Sequence, residues 1–224
     1  MNANKILDAQ ERSVIQQRIA EIEQTTSAEI VCAVANESGR YDRAESVIGL
    51  LTGCAALGIA HLINSQLTHP GDWSASGISL FFQLLALIVG FVIGNYLASY
   101  VVALRRPFVV SSHLEDETKR AASLLFSNHV VGKTKSRCGI LVYLSLFERR
   151  IVILSDQKCR DALGDEAIET ICQSTLPLLR AKQHRQAIVH AIDQLSVKLV
   201  ELLPADRTID ENELSDHVLV LHRP

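Results

Sequence analysis

Apolar positions recur along this chain at different spacings, and each spacing marks a different kind of element. In residues 9–24, Val14, Ile15, Ile19 and Ile22 fall on one helical face, with Arg12, Gln16, Gln17 and Glu23 on the others. Asp8 with Glu11 three positions later is a capping-box pattern that starts this helix. Residues 29–35, EIVCAVA, read as a strand. Two more apolar runs, 140–144 and 149–154, lie a few residues apart and read as a β-hairpin. Apolar residues fill both parities of these two runs, which predicts a sheet covered by helices on both faces.

A third pattern interrupts this one. No Asp, Glu, Lys or Arg occurs in residues 46–67, nor in residues 73–104. Each stretch exceeds the roughly 20 residues that a helix needs to cross a bilayer. Helices are predicted at about 46–67 and 78–104, joined by a turn around Pro70, Gly71 and Asp72. Gly49 with Gly53, and Gly90 with Gly94 and Ala98, are small-xxx-small patterns that let helix backbones approach closely. Either the two helices pack on each other through them, which is the simpler reading, or they pair with a second copy and make a homo-oligomer. Asn95 is expected to bond across the helical hairpin, and His61 to lie near a helix end.

The rest of the chain reads as helices around the hairpin strands. Ser112 with Glu115 is a second capping box, opening a helix over 113–128. Asp165 is the expected N-cap of another helix, with Glu166 in its first turn and Pro177 kinking or ending it. A last helix is predicted over 183–203, stopped by Pro204. An acidic tail follows, with His217 to Leu221 as a candidate edge strand or docking segment. The predicted fold class is α/β: a small mixed sheet flanked by helices and interrupted by a two-helix transmembrane hairpin. Residues 1–43 and 107–203 are the two parts of one domain, 44–106 the insertion, and 204–224 a polar acidic tail. Two antiparallel helices return the chain near where it left, so one domain can close over the insertion.

The hairpin region carries a family resemblance. Residues 131–142, VGKTKSRCGILV, resemble the loop-then-strand of TPM domains, and residues 148–153, ERRIVI, resemble the second strand of that family. The resemblance extends to residues 8–35 and 165–202. It implies a TPM-like fold of the membrane-inserted bacterial branch. Where the family often has a Gly-x-Gly turn after the second strand, this chain has Ser155, Asp156, Gln157 and Lys158. Some TPM proteins are associated with acid phosphatase activity and some TPM domains bind Ca²⁺. The resemblance therefore implies a hydrolase or Ca-binding alternative.

Charge and composition narrow the function classes. A net charge of −3 gives no electrostatic case for nucleic acid. Mean hydropathy of +0.17 reflects the apolar middle. No signal-peptide pattern is visible at the start of the sequence. Five cysteines without a C-x-x-C read as scattered small apolar residues in a reducing compartment. Arg40 and Arg43 precede the first span, Arg105 and Arg106 follow the second, and the loop between has no Lys or Arg. The positive-inside rule then puts both termini in the cytoplasm, at the bacterial inner membrane.

No reactive constellation emerges. Gly132, Lys133 and Thr134 lack the earlier glycine of a phosphate loop, Ser127 standing there, and a helix rather than a strand precedes them. No cysteine has an arginine six positions on, and no H-x-x-x-H pair occurs. Asp156, Asp161 and Asp165 are the weak catalytic or Ca²⁺-ligating alternative, against their simpler reading as turn residues and a helix cap. Lys133, Lys135, Arg137 and Arg149 are candidate binding residues, the first three close to anionic headgroups. Glu148, Arg149 and Arg150 read as a charged turn, with Arg149 placed to reach Asp165. No cofactor is expected, Ca²⁺ aside. The expected function is a non-catalytic, membrane-anchored module that binds the lipid bilayer and another membrane or envelope protein.

Overall fold

The computed structural model describes residues 7–67, 77–131, 138–205 and 218–222. The basic loop with Lys133, Lys135 and Arg137, the turn at Pro70 to Asp72 and the acidic tail at 206–216 lie outside the described residues. Two compact units divide the chain: Met1–Gly39 with Ser112–Pro224, and Arg40–Ser111.

The first unit is a four-stranded sheet between helices. Helix α1 (Ala9–Glu23) begins on the expected capping box: the Asp8 carboxylate accepts from the Glu11 N–H at 2.7 Å, and Glu11 accepts in return from the Asp8 N–H. Strand β1 (Glu29–Ala35) follows, then helix α5 (Ser111–His129), strands β2 (Gly139–Ser145) and β3 (Arg150–Ser155), helices α6 (Gln157–Leu163), α7 (Asp165–Arg180) and α8 (His184–Leu202), and strand β4 (Leu219–Leu221). The sheet order is β3-β2-β1-β4. β2 and β3 pair antiparallel, as the hairpin reading requires, while β1 lies parallel to both β2 and β4.

Side-chain parity explains the layers. Ile30, Cys32 and Val34 of β1 and Ile140, Val142 and Leu144 of β2 pack into one core with α1, α7 and α8. The alternate residues Val31, Ala33 and Ala35, with Leu141 and Tyr143, face Ala121, Ala122 and Leu125 of α5. Both faces of β1 and β2 are buried along their whole length. β3, at the sheet edge, buries only every second residue.

Several local expectations need correction. α5 begins at Ser111, so Ser112 lies inside its first turn, and Glu115 pairs with Lys119 at 2.7 Å and with Arg150 at 3.2 Å instead of capping. α7 begins at Asp165, with Gly164 at the N-cap position. Gly164 has φ +75°, a conformation that costs glycine little, and it joins α6 to α7 without a longer loop. α7 runs through Pro177 to Arg180 because Leu179 beyond it is fully buried; core packing outweighs the lost backbone bond. The cysteines are not all scattered: Cys138, before β2, is disulfide-bonded to Cys159 of α6, and Cys32, Cys54 and Cys172 are free.

The second unit is a helical hairpin. Helices α2 (Asp42–Leu67) and α3 (Leu80–Tyr100) are both long and apolar enough to cross a membrane. α3 ends before the expected 104: Val101 breaks it, a short helix α4 (Val102–Arg105) follows, and Arg106–Phe108 make a 3₁₀ turn. Gly49, Gly53, Gly90 and Gly94 all face the partner helix of the same hairpin; a Cβ on Gly53 would stand 2.8 Å from the Leu87 carbonyl oxygen. Bonds across the hairpin include those of Thr52, donating to the Gly90 carbonyl at 2.9 Å, and Asn64, accepting from the Ile78 N–H at 2.6 Å. The Asn95 side chain is not the source of either. Arg105 pairs with Glu45 at 2.9 Å, and Ser99 donates to the other oxygen of the same carboxylate.

Candidate functional site

Asp156, Asp161 and Asp165 come close in sequence but take separate partners. Asp156 stands at the N-cap position of α6, and its carboxylate accepts from the Gly139 N–H at 3.3 Å. Asp161 lies inside α6, where it accepts from Gln157 Nε2 at 2.8 Å. Asp165 is paired by Arg160 at 3.2 Å, the partner that the sequence reading sought in Arg149. The turn expected at 156–161 is therefore a short helix. Among the described residues no three His, Cys, Asp or Glu side chains gather as a metal ion would need.

Arg149 takes a left-handed conformation in the β2–β3 turn, with φ 51°. Burial holds the imidazole of His184, at the start of α8, below its ordinary range, and the Arg149 charge adds to this. Glu148, beside it, is no solvated turn residue: it is 2% exposed. Its carboxylate accepts from the Ser38 N–H at 2.8 Å and from the Ser145 hydroxyl. The Ser38 hydroxyl in turn lies 2.9 Å from the Tyr143 hydroxyl, and burial pushes that phenol up. This buried cluster ties the loop after β1 to the β2–β3 turn at the ends of two parallel strands. Two donors converge on one buried carboxylate, and that geometry suits a clasp.

The edge of the sheet carries a trough. α5 and α7 stand on either side of β3, leaving a cavity of about 390 Å³ with an apolar floor that includes Val152 and Leu154. Glu115, Lys119 and Arg150 form one rim, and Glu169 and Cys172 lie on the α7 side.

Comparison with known proteins bears on this same segment. Residues 105–198 match the family model of the TPM domain. Residues 105–198 are a TPM-domain segment. No curated protein matches the chain. Among solved structures, the NMR structure of the BA42 protein from the psychrophilic bacterium Bizionia argentinensis is similar over 96% of this chain and 94% of that one, with a TM-score of 0.54 and 16% identity. That likeness concerns the fold.

The matched segment holds β2, β3, α5 to α7 and most of α8, but not β1, the strand between β2 and β4. The TPM sheet of this chain is complete only with residues from before the helical hairpin. The free thiols near the sheet are poor nucleophiles: burial pushes Cys32 up to about 12 and Cys172 up to about 11. The sequence reading missed two buried polar residues, Glu148 and His184. Glu148 was masked by the charged run that contains it, and His184 by its place beside Lys182 and Arg185. The one available signal was the short turn between two runs with apolar residues at both parities, which leaves little room for Glu148 in solvent.

Proposed function

We propose that this chain is a membrane-anchored, non-catalytic module, with its TPM domain on the cytoplasmic face, where it binds another membrane or envelope component. The observation that carries the reading is the α2–α3 hairpin: Gly49, Gly53, Gly90 and Gly94 are used in packing the two helices together, while Leu50, Leu51, Ile59, Leu62, Phe81 and Val92 are exposed. Such a surface is stable in lipid and costly in water. The orientation rests on Arg40, Arg43, Arg105 and Arg106 at the outer ends of the spans.

The non-catalytic part of the reading is supported by how the acids are engaged. Catalytic groups need mutual reach and an activating neighbour. Asp156, Asp161 and Asp165 instead hold, respectively, a backbone amide, a glutamine and an arginine. The hydrolase alternative would need these three carboxylates to act together.

Two experiments test the proposal. Single cysteines replacing Ser74 and Ser215, with Cys54 changed to Ser, are labelled from each side of the membrane; accessibility on opposite sides, with 215 cytoplasmic, is expected. Equal accessibility from one side rejects the anchor topology. The full chain in mild detergent is then assayed on a generic phosphomonoester at acidic and neutral pH, with and without Ca²⁺ and Mg²⁺, and used in parallel for a pull-down. A blank-level rate with a reproducible membrane-protein partner is expected. Turnover that disappears on Asp156→Asn, Asp161→Asn or Asp165→Asn, with the fold intact, replaces the module by a hydrolase.

A further inference from the structure

A second cavity lies away from the acids and the trough. It measures about 290 Å³ and is lined by Glu11, Lys182, Gln183, His184, Arg185 and Gln186. Four of these residues are the N-cap and first turn of α8, a helix of 19 residues. The Gln183 side chain makes no capping bond. The first backbone bond of the helix runs from the Ala187 N–H to the Gln183 carbonyl at 2.9 Å. The amides of His184, Arg185 and Gln186 therefore precede the helical ladder and point along the positive end of the helix dipole. The amides of Lys182 and Gln183 are already used, closing the end of α7 on Leu179 and Leu178.

A helix start alone would say little. The independent observation is His184. It is 6% exposed, it lines the cavity, and its ring Nδ1 is buried with no hydrogen-bond partner. An unpartnered buried ring nitrogen costs free energy that a ligand can recover. The surrounding charge decides the sign of that ligand. Lys182 and Arg185 line the cavity, and Arg149 acts on the imidazole from the β2–β3 turn. Against them stands Glu11 of α1, whose carboxylate accepts from the Asp8 amide at 3.3 Å.

We propose that this cavity is a binding site for a phosphate group, held by the first-turn amides of α8, the cations of Lys182 and Arg185, and the imidazole of His184. Tetrahedral oxyanions suit such an arrangement because several donors converge on one small, doubly charged ligand. The group has two sources with the same chemistry, a soluble phosphate and a phospholipid headgroup. The role of the site is binding. The proposal stands independently of the side of the membrane on which the domain lies.

The imidazole reports occupancy. Burial first, then Arg149 and Lys182, hold His184 below its ordinary value of 6.5. A bound anion offsets the two cations and raises it. The full chain, labelled with ¹³C-histidine and purified in neutral detergent, is titrated by NMR with inorganic phosphate while sodium chloride keeps ionic strength constant, and the His184 signal is assigned with His184→Gln. Saturable binding that raises the His184 titration by about one unit is expected. Lys182→Gln combined with Arg185→Gln should weaken the phosphate effect by about tenfold. A drift reproduced by chloride alone, or unchanged binding in the double variant, overturns the proposal. Thermal unfolding of the unaltered chain gives a reading that needs no variant: phosphate should raise the midpoint and chloride should not, and equal effects again overturn it. Nanodiscs of phosphatidylcholine with and without phosphatidic acid distinguish the sources. A His184 shift in the acidic nanodiscs without added phosphate identifies a headgroup, a shift only on adding phosphate identifies the soluble ion, and no shift in either rejects the site.

Discussion

The Glu148 carboxylate accepts the backbone N–H of Ser38 at 2.8 Å, across 110 residues of sequence. This bond joins the segment before the helical hairpin to the turn after it. The second donor to Glu148 is the hydroxyl of Ser145, and all three residues are buried. Replacing Glu148 with Ala strands both donors. Hydrogen bonds to a charged group are worth about 1.5–3 kcal/mol each, so Glu148→Ala should cost about 3 kcal/mol of the domain's stability. Urea unfolding followed by circular dichroism measures this. A loss below half a kcal/mol would mean that the clasp contributes nothing.

β1 should be indispensable to the domain. It pairs with β2 along seven residues and with β4 along three, and every one of its side chains is buried. Residues 112–224 produced alone should lack a cooperative thermal transition. Residues 1–39 joined to 112–224 by a flexible linker should restore one, since Gly39 already packs against Glu117 within the same unit. A cooperative melt of the shorter piece contradicts this expectation.

The Cys138–Cys159 bond closes a sequence separation of 21 residues. The loop-entropy account assigns such a closure about 3 kcal/mol. Reduction, or Cys138→Ala with Cys159→Ala, should lower the urea midpoint accordingly without changing the fold. An unchanged midpoint on full reduction would show that packing around both buried sulfurs suffices.

His184 should give the domain a pH dependence. Its folded-state value lies below the unfolded 6.5, so the unfolded chain binds more protons as the medium is acidified. The contribution of the neutral imidazole is present above about 6.5 and is lost as pH falls through the folded value. In chloride buffer, stability should therefore decline below pH 6.5, and His184→Phe should flatten that part of the curve. The same slope in the variant would assign it to other groups.

Gly53 and Gly58 offer a matched pair inside α2. A Cβ on Gly53 would meet the Leu87 carbonyl at 2.8 Å, whereas one on Gly58 meets nothing within 4 Å. Gly53→Val should lower the thermal midpoint in detergent by an amount corresponding to about 1–3 kcal/mol of overpacking, and Gly58→Val should leave it nearly unchanged. Equal effects would mean that α2 and α3 do not pack as described.

Local chemistry and periodicity determined much of this protein. The capping box at Asp8, the strand at 29–35, the β2–β3 hairpin, the two uncharged helices and the candidate edge strand at 217–221 all depend on near neighbours, and each forms within a few residues of the expected bounds. Apolar residues at both parities of β1 and β2 likewise required two covering layers. What tertiary structure decided is pairing over distance. Glu115 left its expected cap because Arg150 comes within 3.2 Å of it, α7 ran on past Pro177 because Leu179 fills the core, and Cys138 met Cys159 because the strand and helix carrying them pack together. Glu148 and His184 look solvated in sequence because their neighbours are charged. Only the fold turns their side chains inward, where the cost of burial makes each partner, or its absence, count.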